Sequence, residues 1–343
     1  MVSRVKNQHF VPQSYLKRFS INDQIYVYDK VISKAPYKTN IRNVAAESYF
    51  YDIPEDIFNQ TKDQFPPEYQ DIQFVEKEFS KLEREFNSFL NNLCAKYFLT
   101  PEPHFKVALS SEDRQNLSIH LIMQHLRTRD SRRQVAEMKK TIMQMLFDLN
   151  MYNEDRNYKP GEYFVELDPA HAVIDQLSFM FNPERLIEFS SVLNSHIWFV
   201  GVNQTDQPFY TSDAPLVRKA HMPEDLMSYS GLGSKGIELS FPVSDKLIIT
   251  LCERSYHKVV EPVENLFFPI YDLEVIKYYN SMQVIECERQ VYCSQNKFAL
   301  IDEYKKNNSS ALREKDYGVQ VNGGPFGDNQ YQRKRNVPRE QTK

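Results

Sequence analysis

Glycine is scarce in this sequence: it accounts for nine of 343 residues, and none precedes Gly161. Average usage of about 7% would give roughly 24 glycines. A glycine-rich phosphate loop or a dinucleotide-binding fingerprint near the start of the chain needs glycines that the first half lacks. The literal G-x-G-x-x-G match at residues 231–236 follows a loop, not a strand. The sequence therefore argues against such cofactor folds, and it specifies no cofactor.

Cysteine and long apolar runs are also in short supply. The four cysteines, Cys94, Cys252, Cys287 and Cys293, show no C-x-x-C spacing and no nearby histidine cluster. They are typical of reduced, buried thiols in a cytoplasmic protein, and they suggest no metal site. No apolar run approaches the roughly 20 residues needed to span a bilayer, and the first residues lack the apolar stretch of a secretory signal. We therefore expect no membrane partner.

Charge is distributed unevenly along the chain. The formal net charge is −4, yet residues 304–343 carry nine Lys/Arg and four Asp/Glu. This basic segment, which is rich in Asn, Gln and Gly, is predicted to be a disordered, flexible tail. Nucleic acid is a partner that such a tail could contact, and a solvated terminus without a partner is the alternative.

The apolar pattern predicts a helical middle followed by a sheet. Apolar residues recur at steps of three and four from Asp71 to Phe98, which predicts a helix. A second helix is expected to run unbroken from Ser111 through residue 149, because neither Pro nor Gly interrupts it. Two further helices are predicted at about 170–181 and 184–195. Alternating β-formers predict a strand at 25–29, hairpins at 196–211 and 237–251, a helix at 272–286 and a strand at 290–293.

These elements define an α+β fold, with a largely helical body and a small antiparallel β-sheet. We expect a single domain over residues 1–303, helical at about 71–195 and sheet-rich at about 196–300. The flexible basic tail follows it.

The second helix carries a polar stripe. His120, Gln124 and Arg127 lie at i, i+4 and i+7, so they share one side of a helix that is otherwise apolar. Burying an unpaired guanidinium or amide costs several kilocalories, so the stripe either lines a pocket or anchors buried carboxylates. Residues 114–140 hold seven Lys/Arg and two acidic residues. Guanidinium groups at this density suit phosphate or carboxylate binding.

Two other segments carry polar residues in positions that suit a site. His9 is a candidate acid or base near neutral pH, and the alternative is a histidine bonded inside an N-terminal turn. Ser212 and Asp213 are expected at a strand end, where sites are often built, although Ser-Asp-Ala-Pro is also an ordinary turn sequence. Asp213 could pair with Arg127 or orient His9.

Four segments together resemble a bacterial family, the domain of unknown function 4238 family. The matching segments are Gln8-His9-Phe10-Val11-Pro12-Gln13 with Tyr15-Leu16 and Arg18-Phe19, Gln124-His125-Leu126-Arg127-Thr128 with Arg132, Phe209-Tyr210-Thr211-Ser212-Asp213-Ala214-Pro215, and Phe241-Pro242-Val243-Ser244. They span about residues 4–300. The resemblance establishes no activity; by analogy, its bacterial setting implies a role in conflict with phage or as a toxin.

Two functional hypotheses follow. The first is a hydrolase that binds a phosphate-bearing ligand and acts on nucleic acid or nucleotides. Its predicted catalytic residues are His9, Arg127 and Asp213. Its predicted substrate-binding residues are Gln8, Tyr15, Arg18, Gln124, Thr128, Arg132 and Ser212. The second is a non-catalytic sensor or interaction module, in which the same residues form a structural network. A homodimer and a subunit of an effector complex are both compatible with the sequence.

Overall fold

A computed structural model describes residues 4–32, 35–61, 63, 70–71, 73–223, 229–313, 315 and 317. The strands are β1 (Asn7–His9), β2 (Gln24–Asp29), β3 (Tyr37–Asn40), β4 (Ala46–Ser48), β5 (Ile197–Asn203), β6 (Thr211–Ser212), β7 (Val217–Ala220), β8 (Ile237–Pro242), β9 (Leu247–Cys252), β10 (Phe267–Ile270) and β11 (Gln290–Cys293). The helices are α1 (Gln13–Leu16), α2 (Glu55–Thr61), α3 (Phe74–Leu99), α4 (Ser111–Leu126), α5 (Arg129–Glu154), α6 (Pro169–Met180), α7 (Pro183–Ser195), α8 (Leu273–Glu286) and α9 (Ala299–Asn307).

A five-stranded sheet forms the centre of the molecule, with strand order β10-β5-β9-β8-β7. Strand β10 runs parallel to β5, and the other neighbours are antiparallel. Every residue of β5, β8 and β9 is buried. Strands with both faces covered read as nearly continuous apolar runs, which is the pattern of Ile197–Asn203. One face carries the main core, which also contains the apolar residues of α3 and α4.

Two smaller sheets bring distant parts of the chain together. A four-stranded antiparallel sheet has the order β3-β2-β11-β6, so the N-terminal strand β2 pairs with the C-terminal strand β11. Strands β1 and β4 form a separate antiparallel pair. The architecture confirms the predicted α+β class, with a helical body and small sheets that are mainly antiparallel.

The predicted long helix is two helices. Helix α4 ends at Leu126 and α5 begins at Arg129, with Thr128 as the N-cap residue between them. The Thr128 hydroxyl accepts a hydrogen bond from the amide of Ser131, which satisfies one of the free amides of the new helix. Helix α4 begins at Ser111, as predicted, and Ser110 and Asp113 form a reciprocal capping box at this end. A helix can therefore break at a threonine, without proline or glycine.

The hairpin expected at 196–211 is wrong, whereas the one at 237–251 is confirmed. Strand β5 pairs with β9 and β10. Residues Thr211 and Ser212 pair with β11 in the other sheet. Strands β8 and β9 are direct antiparallel neighbours, as predicted. A strand in the middle of a sheet pairs along both of its edges. Strand β5 therefore has two neighbours, β9 and β10, and neither is the next strand in the sequence.

The C-terminal region is ordered beyond the expected boundary at 303. Helix α9 runs through Asn307, and a short 3-10 turn follows at Ser309–Leu312. Lys315 lies between the carboxylates of Asp130 and Glu286, each 3.1 Å away. Residues 314, 316 and 318–343 of the predicted tail lie outside the described residues. Within the described part of the chain, the structure contains no helix with both the length and the hydropathy of a membrane span.

Candidate functional site

The N-terminal motif lies on β1, where alternate side chains point in opposite directions. Gln8 is fully buried; its amide donates to Asp52 Oδ1 (2.7 Å) and its Oε1 accepts from the amide of Tyr51 (2.6 Å). The next residue, His9, is half-buried, and its Nδ1 is 3.5 Å from Gln13 Nε2. Gln8 therefore fixes the strand to the turn at residues 49–52, whereas His9 has weaker side-chain contacts.

The imidazole of His9 is held in its neutral form. Its Nε2 is buried and has no hydrogen-bond partner among the described residues. Burial lowers the pKa of His9 to about 4, and the positive charge of Arg127 acts in the same direction, against a carbonyl contact with Arg42. At neutral pH this side chain is an unprotonated base whose Nε2 is closed off from solvent.

Arg127 is the centre of the polar stripe. Its Nη2 donates to the His9 carbonyl oxygen (2.6 Å) and to Glu83 Oε1 (2.8 Å), and its Nε donates to the Tyr51 hydroxyl (3.3 Å). The Tyr51 hydroxyl in turn donates to the Arg127 carbonyl oxygen, and the guanidinium lies 4.1 Å from the centre of the Phe79 ring. Burial acts to lower the pKa of Arg127, but Tyr51 and Glu83 outweigh it and raise the pKa. The guanidinium is thus charged and buried, and three of its five N–H groups donate to other parts of the chain.

The other two stripe residues differ in character. Gln124 is buried, and its amide donates to the carbonyl oxygen of Phe10 (3.1 Å). His120 stacks on the ring of Phe86, with centroids 5.3 Å apart. Gln124 and Arg127 therefore bind consecutive carbonyl groups of the N-terminal motif, at residues 10 and 9, and hold that segment against the helical body.

Tyr15 and Arg18 extend the same attachment. The Tyr15 hydroxyl donates to the carbonyl oxygen of Pro242 and shares a hydrogen bond with the Thr211 hydroxyl, both at 2.7 Å. Arg18 donates to the carbonyl oxygen of Ser14 and to the side chains of two asparagines on α3, Asn87 and Asn91. These partners are all parts of the chain itself.

Thr128 and Arg132 lie where α4 gives way to α5. Thr128 is buried and acts as the N-cap described above. Arg132 donates to Gln176 Oε1 and to the carbonyl oxygen of Phe50, both at 2.7 Å, and its guanidinium covers the Phe50 ring at 3.5 Å. Gln176 donates in turn to the carbonyl oxygen of Thr128.

Ser212 lies in β6, at the edge of the four-stranded sheet, and Asp213 follows it; both are buried. Ser212 donates to Gln283 Oε1 (2.7 Å). The Asp213 carboxylate accepts hydrogen bonds from the amides of three consecutive residues, Glu288, Arg289 and Gln290, at 2.8–3.0 Å. Burial raises the pKa of Asp213 to about 7; Glu288 adds to the shift, while the backbone amides and Arg129 oppose it.

The expected pairing of Asp213 with Arg127 or His9 is wrong. Asp213 closes the turn that leads into β11, and its charged neighbour is Arg129. Arg129 Nε is 2.5 Å from Glu288 Oε2, and Arg133 Nη1 is 2.9 Å from Glu288 Oε1. Among the predicted residues, His9 and Arg127 therefore lie in one network, whereas Asp213 lies in another with Glu288.

Sequence reasoning missed the acidic members of both networks. Glu83, Asp52 and Glu288 bind predicted residues, or the arginines next to them, across 44 to 159 positions of sequence. The signal that pointed to them was indirect: a dense group of arginines on an apolar helix required buried carboxylates. This is the second of the two alternatives for the polar stripe, in which the stripe anchors buried carboxylates.

Two cavities lie elsewhere in the molecule. One, of about 720 Å³, lies between α4 and α7, and the other, of about 610 Å³, lies beside Gly233 and Arg254. None of the predicted site residues lines either cavity. Across the residues that the structure describes, no three His, Cys, Asp or Glu side chains are arranged to hold a metal ion.

The chain is thus an α+β protein in which residues of the sequence motifs form hydrogen bonds to one another and to the backbone in its interior. The sequence profile of the family described as protein of unknown function (DUF4238) matches residues 7–297, and the chain belongs to that family. This confirms the resemblance drawn from the four motifs. The chain matches no curated protein and no solved structure.

Proposed function

We propose that the protein is a non-catalytic sensor or interaction module, and that its motif residues form the network that fixes its fold. One observation carries the proposal: the polar side chains of the motifs bind each other and the backbone. Gln8, Gln124 and Arg127 are all buried, and each is bonded to a fixed group of the chain.

The energetic cost of replacing a partner of Arg127 by a substrate supports the proposal that the network is structural. A substrate phosphate that used Arg127 Nε or Nη2 would have to displace the Tyr51 hydroxyl, Glu83 or the His9 carbonyl oxygen, and the displaced group would lose its partner. Leaving such a group unsatisfied costs about 1–3 kcal/mol, and more for a charged group. The groups with which an enzyme binds a transition state stabilise it most when they are already in position and accessible to the substrate. Arg127 is preorganised for the protein's own carboxylate.

Phosphoester hydrolysis of nucleic acid or nucleotides is the second candidate, and one observation favours it. The neutral imidazole of His9, with an unbonded Nε2, lies beside the charged Arg127. In this reading His9 acts as acid or base and Arg127 stabilises developing negative charge. A ligand would first have to open the segment around His9, because Nε2 is closed to solvent.

Incubation of the purified chain with RNA, DNA and nucleotides, with and without divalent metal ions, separates the two functions. The module predicts no turnover above that of a His9→Ala variant. Turnover that is lost in His9→Ala, at an unchanged melting temperature, would refute the module and establish the hydrolase. His171→Ala, at an exposed histidine of α6, is the matched control.

The setting of the protein is part of the proposal. We assign it to the cytoplasm, because its four cysteines are unpaired thiols and three of them are buried. A role in bacterial conflict with phage, or as a toxin, rests on analogy with the family's bacterial setting. The module would act there as a homodimer or as a subunit of an effector complex, and nucleic acid or a nucleotide would be the substrate of the hydrolase.

A further inference from the structure

Two of the chain's eight histidines meet at one end of the central sheet. His221 directly follows β7, and His257 lies just after the turn that follows β9. Their ring centroids are 4.9 Å apart, and the ring planes are at 86° to each other. Neither histidine belongs to the Arg127 network or to the network of Asp213 and Glu288, and neither was predicted from the sequence. The pair is therefore a separate feature of the fold.

The imidazole of His221 is oriented by a buried carboxylate. Its Nε2 is 2.8 Å from Oε2 of Glu238, a buried residue of β8. The Tyr278 hydroxyl donates to the same oxygen at 2.6 Å, which holds the carboxylate in place. A carboxylate accepts hydrogen bonds, so the proton of the neutral imidazole lies on Nε2 and Nδ1 keeps its lone pair.

The imidazole of His257 is oriented by the backbone. Its Nε2 donates to the carbonyl oxygen of Gly236 at 3.4 Å, and this oxygen also accepts from the His221 amide at 3.0 Å. Gly236, the last glycine of the 231–236 loop, has φ of +74°, and a Cβ here would lie 2.9 Å from Met222 Cγ. Glycine thus allows the loop to present one carbonyl oxygen to both histidines. A carbonyl oxygen can only accept, so His257 too carries its proton on Nε2.

Both Nδ1 atoms are left open. Neither has a hydrogen-bond partner among the described residues, and neither is a buried atom without a partner, as His9 Nε2 is. The side chain of His221 is 27% exposed, and His257 is half-buried. Histidines that bind a metal ion through one nitrogen commonly donate the other N–H to a carboxylate or a backbone carbonyl. His221 has the first arrangement and His257 has the second.

The distance between the rings fits a shared ion. An ion bound about 2.1 Å from an imidazole nitrogen lies about 3.2 Å from the ring centroid. Two imidazoles at about 90–109° around one ion then have centroids about 4.5–5.2 Å apart, and the observed separation is 4.9 Å. Contacts between aromatic rings alone cover a wider range, about 4.5–7 Å. The distance therefore permits a shared ion, and the two fixed Nε2 atoms favour one.

We propose that His221 and His257 bind a divalent ion of the zinc, nickel or copper type through their Nδ1 atoms. Imidazole nitrogen suits these ions, whereas the harder Mg²⁺ and Ca²⁺ prefer oxygen ligands. The site has fewer protein ligands than a structural zinc site, so water completes the coordination and the ion exchanges. Glu238 and Gly236 are positioning residues, because each acts through the histidines. The site shares no residue with the networks of the proposed function, and it does not depend on that function.

Isothermal titration of the untagged full chain with Zn²⁺, and separately with Ni²⁺, measures the site. We expect one ion per chain with micromolar affinity, and no binding of Mg²⁺. His221→Ala and His257→Ala should each abolish detectable binding at tens of micromolar ion, because a single imidazole holds such an ion weakly. Glu238→Gln keeps both ligands and should weaken binding about tenfold. His171→Ala, at an exposed histidine of α6, is the matched control and should bind as the wild-type chain does.

The outcomes that would overturn the site are distinct. Binding of Zn²⁺ that persists in both histidine variants would refute it, as would a wild-type chain that binds no ion at tens of micromolar. Cys94 is half-buried and the other three cysteines are buried, so Cys94→Ser tests the competing thiol ligand. Loss of binding in that variant alone would place the ion on the thiol. Electron paramagnetic resonance of the wild-type chain with less than one equivalent of Cu²⁺ needs no substitution. Two nitrogen ligands are expected, and one or none would refute the proposal.

Discussion

Arg127 and His9, from two of the four motifs, are joined through the main chain: the Arg127 guanidinium donates to the His9 carbonyl oxygen at 2.6 Å. The imidazole takes no part in this bond. A contact to the backbone depends on the path of the chain and not on which side chain stands at position 9. The conspicuous arginine therefore holds the N-terminal segment in place, together with Gln124 and the carbonyl oxygen of Phe10.

Replacing Arg127 should cost stability. Arg127→Met removes three donors and leaves Glu83 and the His9 carbonyl oxygen without their partner, for an expected loss of about 3 kcal/mol. Urea denaturation of the purified variant measures it. Arg84→Met, at an exposed arginine next to Glu83, should change the free energy of unfolding by less than about 0.5 kcal/mol. Equal effects of the two substitutions would contradict the structural role.

Thr128 should contribute as a helix cap. Thr128→Ala removes the acceptor for the Ser131 amide, and we expect a loss of about 1 kcal/mol. Thr141→Ala, within the same helix, is the control, because the Thr141 hydroxyl donates to the Glu137 carbonyl oxygen and caps nothing. Thermal unfolding followed by circular dichroism compares the two. A larger loss for Thr141→Ala would show that the break after α4 is not set by Thr128.

His9 should make the fold sensitive to acid. Its pKa of about 4 in the folded chain lies below the ordinary value of 6.5, so only the unfolded chain gains a proton between these values. The stabilisation is complete above pH 6.5 and is lost as the pH falls towards 4, about 3 kcal/mol in total. His9→Gln should flatten this part of the stability curve. His171→Gln, at an exposed site, should leave the curve unchanged.

Titration of Asp213 should change the stability of the fold in the opposite direction to titration of His9. Its folded pKa of about 7 lies above the ordinary 3.8, so its contribution is complete below pH 3.8 and is lost as the pH rises through 7. Asp213→Asn is destabilising at every pH, because its amide group faces backbone donors. The difference from the wild-type chain should be larger at pH 5 than at pH 8 by urea denaturation. A difference that grows with pH would contradict the assignment, and Asp206→Asn, at an exposed loop residue, is the control.

Local patterns in the sequence were enough to predict four of the longer helices and several strands, but not the break at Thr128 or the long-range partners. The periodic apolar residues of α3 and the hairpin of β8 and β9 were predicted, because near neighbours in sequence determine both. Thr128 carried a legible capping signal, yet the absence of proline and glycine was given more weight. Glu288 could not be assigned to Arg129, because a contact across 159 residues leaves no periodic trace. The candidate site shows the same limit of local patterns: the sequence indicated its arginines but not the carboxylates that bind them.

The hydrogen bonds from Tyr15 to Thr211 and Pro242 also determine when, during synthesis, the N-terminal motif can reach its final structure. They join positions 196 and 227 residues apart. At a synthesis rate of about 5–20 residues per second, the N-terminal motif waits roughly 10–50 s before Pro242 has been made. Throughout that interval the apolar side chains of Phe10, Val11, Leu16 and Phe19 lack their final surroundings. The N-terminal motif is therefore made well before its partners, and it settles only after they have been added to the chain.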